Sequence, residues 1–283
     1  MKVEEHLLKS LFVMAEVVEA RDPYTGGHLW RVSQLSLILA QDAGLAPAAA
    51  ARVALGGFLH DLGKIGIPDA ILNKPGFLTD DEYEIVKTHP HIGLRLLGDH
   101  LLADLVRDAI LLHHERPDGR GYPQGMGGEF IPLDARMVGI ADGFDAMTSA
   151  RPYRQGMPIA RALEIIEEHL GSQFDGALGR RFVALGRAGR LDHVVGHSEP
   201  GIPLQLCPMC GPTIVVRRDH RQGDNIYCRH CGGEVTVDRS GGRLTVHPTG
   251  RRGAAADLEP QPDYALIDEL VAQAAARLAG AFA

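Results

Sequence analysis

Five histidines and two aspartates between residues 28 and 142 have the types and spacings that suit metal chemistry. They are His28 in DPYTGGH, the adjacent His60 and Asp61 in HDLGK, His89 in KTHP, His113 and His114 in HHERPDGRGYP, and Asp142 in IADGFD. A His-Asp dipeptide by itself is commonplace and reads as a polar pair ending a helix. A set of this size, each member at the end or on one face of a predicted helix, does not. Imidazole nitrogen mixed with carboxylate oxygen suits iron, manganese or zinc rather than calcium or magnesium. Asp61 has a special position, because a carboxylate has two oxygens and bridges two cations, which an imidazole cannot. Two cations about 3.5–4 Å apart activate a water between them and clamp a phosphoryl group. The adjacent histidines pose a geometric question, since neighbours on a helix point about 100° apart. Splayed around a helix end, His113 and His114 reach different faces of a cluster a few ångströms wide. Asp118, Gly119 and Gly121 then turn the chain, and Pro123 fixes where Tyr122 points.

Such a site needs helices to hold it. Up to about residue 185 apolar residues recur at helical spacing, as in Leu7, Leu8, Leu11, Phe12 and Ala15, and again in Leu35 and Leu39. TDDE, Thr79 to Glu82, has the form of a capping box opening a helix that runs to KTHP. Pro90 marks a kink or end just after His89. Further helices are predicted around 101–114, 132–148 and 158–170, with no alternating β pattern. The expected fold is therefore mainly α: a helical bundle over 1–185, a linker over 186–206, a small β-rich module over 207–248, then a flexible segment and a C-terminal helix over 249–283. The β-like runs TIVVRR and EVTVDR flank the cysteines, and SGGRLTVHPTGRR could supply a last strand.

All four cysteines, Cys207, Cys210, Cys228 and Cys231, fall in two C-x-x-C pairs 17 residues apart, each followed by glycine. Four thiolates at this spacing read as one closed, tetrahedral structural zinc site, and the module resembles a zinc ribbon. A module this small has little apolar core, so zinc would drive its folding. A redox pair or a disulfide is the weaker reading. The arginines at 217, 218, 221, 229 and 239 read as a solvated face, with nucleic-acid binding by the ribbon left open. A net charge of -7 argues against bulk attraction to nucleic acid or an anionic membrane. No apolar run approaches the ~18 residues of a membrane span and no signal peptide opens the sequence, so a reducing, cytoplasmic setting is expected.

The runs HDLGKIGIPDAILNKPGFLTDDEYEIVKTHP, HHERPDGRGYP and IADGFDAMTSARPYR closely resemble the HD-GYP subgroup of the HD metal-dependent phosphohydrolases, over roughly residues 5 to 185. The resemblance implies an HD-type helical bundle and hydrolysis of cyclic di-GMP to pGpG or GMP, some members accepting cyclic GMP-AMP instead. It implies His28, His60, Asp61 and Asp142 as ligands of one divalent metal, iron or manganese. Asp61, His89, His113 and His114 would hold a second, with the division of the adjacent histidines left open. It also implies a catalytic set of His60, Asp61, Lys64 and Asp145. Lys64 resembles the family lysine that contacts phosphate. Arg151 and Arg154 of RPYR would grip phosphates or guanine edges, Tyr122 would line the nucleotide site, and Asp145 would be a partner behind a ligand or a proton acceptor. For each of these polar residues the plainer reading is a surface or capping role. Members with three metals carry a glutamate four residues before the histidine matched by His28. That position is Tyr24 here, so two metals are expected.

Three functions follow as expectations. The first is a cyclic-dinucleotide phosphodiesterase, and the second a phosphohydrolase of the same class acting on another nucleotide. The third is a non-catalytic module that senses nucleotide or docks on cyclase domains through the GYP loop. A homodimer is left open.

Overall fold

The structure is a computed structural model that describes residues 3–21, 26–74, 76–149, 156–211, 213–259 and 261–278. Ten helices come first: α1 (Val3–Glu19), α2 (His28–Asp42), α3 (Pro47–Leu59), α4 (Asp69–Leu72), α5 (Asp80–Val86), α6 (His89–Leu97), α7 (Ala103–Leu112), α8 (Leu133–Thr148), α9 (Ile159–Glu168) and α10 (Gly176–Arg187). A short 3-10 turn, Leu62–Gly66, joins α3 to α4. Helix α2 packs against both α3 and α8, which also touch each other. Leu29, Val32, Leu35 and Leu39 are buried on it, but so are Arg31, Ser33 and Ser36. A helix buried this far round has to find partners for its polar side chains inside the protein. Ring pairs Phe12–Phe58, with centroids 4.5 Å apart, and Phe144–Phe182, 5.0 Å apart, fill the core between helices.

The capping box forms as expected: Thr79 accepts from the Glu82 N–H, and Glu82 accepts from the Thr79 N–H at 2.7 Å. The helix it opens stops at Val86, however, and Pro90 starts the next helix rather than ending this one. Proline in a first turn forfeits no intrahelical hydrogen bond. The three further predicted helices are present, within two residues of the expected ends.

The stretch expected to be a linker is structured. Leu191 and Val194 are fully buried in the bundle core, and His197–Glu199 (β1) pairs with Ile202–Pro203 (β2). Single anchoring residues among glycines leave no periodicity to read. Gln205–Leu206 (β3) then pairs with Thr213–Ile214 (β4). Asn225–Tyr227 (β5), Gly233–Asp238 (β6) and Thr245–Arg252 (β7) form an antiparallel sheet in sequence order, so the last strand runs past residue 248. A small core of Ile214, Val216, Ile226, Val235, Val237, Cys207 and Cys228 lies beneath it. Part of the tail expected to be flexible folds as a 3-10 turn, Ala255–Leu258. The final helix, α11 (Tyr264–Leu278), returns to the bundle against α1 and α3. Its Ile267, Leu270 and Val271 join the core built by the bundle helices before it. No helix among the described residues is long and apolar enough to cross a membrane.

Candidate metal centre

The histidines and aspartates singled out above converge in one place, and helix ends bring them there. His28 is the first residue of α2, and His60 caps the C-terminus of α3 with Asp61 next in line. His89 opens α6, His113 caps α7, and Asp142 lies within α8. Three overlapping sets result: His28, His60 and Asp142; His60, Asp61 and His113; and His89, His113 and His114. Within each set the donor atoms lie within 4.8 Å of one another.

Hydrogen bonds at the outer ring nitrogens settle how the imidazoles face. Nδ1 of His60 lies 2.7 Å from the Gly57 carbonyl, Nδ1 of His89 lies 2.8 Å from that of Val86, and Nδ1 of His113 lies 3.0 Å from that of Ala109. Carbonyls only accept, so each Nδ1 carries the proton and each Nε2 presents a lone pair inward. His28 is held by a carboxylate instead, with Nδ1 2.8 Å from Asp145 Oδ2. The inward Nε2 atoms of His28 and His60 are 3.3 Å apart, as are those of His89 and His113. Lone pairs facing one another at that distance fit a cation between them. Asp61 spans the two halves: Oδ2 is 3.5 Å from His28 Nε2 and 3.4 Å from His60 Nε2, while Oδ1 is 3.6 Å from His89 Nε2.

His113 and His114 do not diverge, contrary to the helical expectation. Helix α7 ends at Leu112, so His114 has already left it. The two rings sit 4.0 Å apart, and both face the half that holds His89. Lys64 is in the 3-10 turn with Nζ 2.6 Å from Asp61 Oδ2. That turn packs on α6 so tightly that a Cβ on Gly63 would fall 1.8 Å from the His89 carbonyl oxygen. Asp145 stands behind His28 and is engaged by Arg31, whose Nε lies 2.6 Å from Oδ1, and by the Ser149 hydroxyl.

The electrostatics follow the geometry. Burial disfavours charge on both site aspartates, yet the charges of Lys64 and His60 bring Asp61 well below the usual carboxylate range, and those of His60 and His28 lower Asp142. Burial also opposes the His28 cation, but Asp145 and Asp61 outweigh it and lift the imidazole to about 9. On the other half burial wins: His89 and His113 are lowered, and His114 is pushed down to about 3. Ionised carboxylates and neutral His89, His113 and His114 are the protonation states that a divalent cation requires, whereas His28 has to release a proton to bind one.

Beside this centre lies a cleft of about 190 Å³ whose lining includes His114, Tyr122, Arg120, Arg136 and Asp142. Tyr122 stacks on His114 at 4.6 Å. The loop that carries it is organised by Glu115, which the sequence reading missed. Its buried carboxylate accepts the Gln124 N–H at 2.6 Å and the Met126 N–H at 2.9 Å. Arg31, Arg120 and Arg136 were missed as well, the only signal for Arg31 being its position one turn after His28. Arg151, Arg154 and Tyr24 lie outside the described residues.

The four cysteine Sγ atoms also cluster within 4.8 Å, with Cys207–Cys231 at 3.8 Å and Cys210–Cys228 at 3.6 Å. A tetrahedron with metal–sulfur bonds of about 2.3 Å has edges of about 3.8 Å, so the donors fit a single ion. The cysteines are free of disulfides.

A family model for the HD domain matches residues 12–178. The cyclic di-GMP phosphodiesterase response regulator RpfG of Xanthomonas campestris pv. campestris is 42% identical over 176 residues, 62% of this chain and 47% of that one. A cyclic di-GMP phosphodiesterase of Thermotoga maritima is 39% identical over 184 residues, 64% of this chain and 50% of the relative. The chain thus spans about half the length of the curated relatives it matches. Among solved structures, a cyclic GMP-AMP specific phosphodiesterase of Vibrio cholerae has the same fold, with a TM-score of 0.50 at 20% identity over 64% of this chain and 49% of that one. Since the matched model spans more than half of its length, the chain belongs to the HD domain family.

Proposed function

We propose that the chain is a metal-dependent phosphodiesterase of the HD-GYP kind that hydrolyses cyclic di-GMP to pGpG or GMP. The observation that carries this is the pairing of two inward-facing donor sets across one carboxylate. His28 and His60, grouped with Asp142, face Asp61 Oδ2, while His89, grouped with His113 and His114, faces Oδ1. The relatives named as cyclic di-GMP phosphodiesterases support the substrate class. The mixed nitrogen and oxygen donors suit two ions of iron or manganese. When bound, such a pair supplies an activated water and a clamp for phosphoryl oxygens.

The protein's own groups do the rest. The Nδ1 hydrogen bonds hold the imidazoles in the tautomer that binds, and Asp145 orients His28. Lys64, beside Asp61, offsets charge on the phosphoryl group. Tyr122 lines the cleft where a base would lie, and Arg151 and Arg154 are assigned to the phosphates or guanine edges by their place in RPYR. The four cysteines are assigned one structural zinc.

Cyclic GMP-AMP is the second reading, because a 3'3'-cGAMP-specific phosphodiesterase of Vibrio cholerae is 38% identical over 160 residues. A purely sensory module is disfavoured, since sensing alone does not need both donor sets intact. The test is chromatography of products from each cyclic dinucleotide under anaerobic Fe(II) and under Mn(II). Linear product from cyclic di-GMP, lost in Asp61→Ala, is expected. Unaltered turnover in Asp61→Ala would show that the centre is misassigned, and binding without turnover would favour the sensor.

A further inference from the structure

The helix that begins with His28 is capped from another helix. Gly27, just before it, has φ 73° and no side chain to offer, so the first turn of α2 has no cap of its own. A capping side chain ordinarily accepts from the second or third amide of a helix. Here the second, that of Leu29, donates to Oε1 of Glu19 at 2.9 Å, and the Gly27 N–H is aimed at the same carboxyl. His28 lies between those two amides, so one carboxyl brackets the backbone that carries it. Glu19 is the last residue of α1. A carboxyl is poorly placed at the C-terminal end of its own helix, where the dipole is negative, and well placed at the N-terminal end of another. Burial pushes the group above its ordinary range and the amide hydrogen bonds pull against that rise. Charged or neutral, its oxygen accepts. Glu19 also borders a small space of about 10 Å³ together with His28, Asp61 and Lys64, which places it against the metal centre. Two residues on, Arg21 donates to the Ile65 and Ile67 carbonyls at 2.7 and 3.2 Å. The end of α1 thus holds both the start of α2 and the 3-10 turn that carries Lys64.

We propose that Glu19 is a positioning residue for the metal ligand His28: by accepting from the amides on either side, it fixes where that imidazole stands. Asp145 sets the rotation of the ring from Nδ1, and Glu19 sets the backbone from which the ring hangs. The inference rests on the reading of the centre as a metal site and uses no step of the hydrolysis. An amide left unpaired in a first turn also costs stability, so positioning has to be separated from plain destabilisation. Two substitutions do this. Methionine fills the same space with no strong acceptor, while glutamine keeps a carbonyl oxygen at the same reach.

The test is a titration of the intact protein with Mn(II), the free ion being counted by electron paramagnetic resonance. In Glu19→Met one of the two ions should bind about tenfold more weakly or worse, and Glu19→Gln should bind both as the parent does. The loss should persist in a His89→Ala background, where the His28 half remains. It should vanish in an Asp142→Ala background, where that half is already broken. Exchange of the Leu29 amide should speed up in Glu19→Met and not in Glu19→Gln. Parent affinity for both ions in Glu19→Met overturns the proposal. So does an equal loss of both ions, the mark of destabilisation alone, and so does a loss that Glu19→Gln fails to restore. Should circular dichroism show Glu19→Met unfolded, Glu19→Asp takes its place, since it keeps the charge but shortens the reach. Weak binding in Glu19→Asp beside full binding in Glu19→Gln then supports the proposal, and the reverse order overturns it. A parent protein that takes up no Mn(II) overturns the reading of the centre itself and the proposal with it, whereas an unchanged Glu19→Met beside a parent that binds overturns the proposal alone.

Discussion

His28 reaches its position through a relay of side chains. Its Nδ1 meets Asp145, and Asp145 is gripped by Arg31 through Nε at 2.6 Å and Nη2 at 3.1 Å. Asp145→Asn keeps the shape but weakens the hold on the tautomer and leaves the Arg31 charge buried without its counter-ion. Metal affinity at the His28 half should fall about 10- to 100-fold, measured by titration with Mn(II), while the His89 half is little changed. The direct donors were legible because histidine and aspartate in quantity are unusual and their motifs are long. Arg31 and Glu115 were not, because an arginine's buried partner 114 residues away leaves no local trace. Glu16 carries a second prediction at this scale. Its carboxyl is raised by burial to about 8 from an ordinary value near 4.5, so between those values the folded state holds a proton that the unfolded state has lost. Stability contributed by Glu16 is therefore complete below about pH 4.5 and drains away as pH rises through 8. Glu16→Gln should flatten that fall, as read by denaturant midpoints from pH 5 to about 8.5.

At the scale of elements, the centre is a meeting of helix ends, and connecting turns set its width. The 3-10 turn Leu62–Gly66 lies against the start of α6. A Cβ at Gly63 would meet the His89 carbonyl oxygen at 1.8 Å and the Gly93 nitrogen at 2.5 Å. Both obstacles are backbone, so Gly63→Ala has to push α6 away and carry His89 with it. A cost of about 1–3 kcal/mol is expected from urea unfolding, together with a weaker second metal. Turn chemistry was legible where it is local, as in the Thr79–Glu82 capping box. It was misread where two meanings compete, since Pro90 ends one helix and starts another equally well by sequence. The 186–206 stretch was misread for a different reason. Leu191 and Val194 anchor it to the bundle one at a time, and isolated anchors have no period.

At the scale of the whole molecule, the chain leaves the bundle after α10, builds the cysteine-bearing module, and returns as α11 to fill the bundle core. The module is thus enclosed in sequence by the bundle and touches it at defined points. Arg229, between Cys228 and Cys231, donates to the Ala20 carbonyl at 3.0 Å, and Arg218 bridges Glu199 and Glu269. Arg31 joins Gly26 and His197 by donating to both carbonyls at 2.9 Å, just before the chain enters α2 at His28. The packing there is close, for Gly27 sits at φ 73° where an added Cβ would lie 2.5 Å from Ser198 Cα. The module's own core is small, so an ion held by the four cysteines, as proposed above, would supply much of its order. Cys228→Ser should therefore abolish hydrogen-exchange protection across β5, β6 and β7. Protection should also fall at Gly26 to His28, while amides in the middle of α2 and α8 stay protected by the aromatic and leucine core. Equal loss in α2 and α8 would mean that module and bundle unfold as one unit. Unchanged protection at Gly26 to His28 would mean that the contacts through Arg31 and Arg229 do not brace the metal centre.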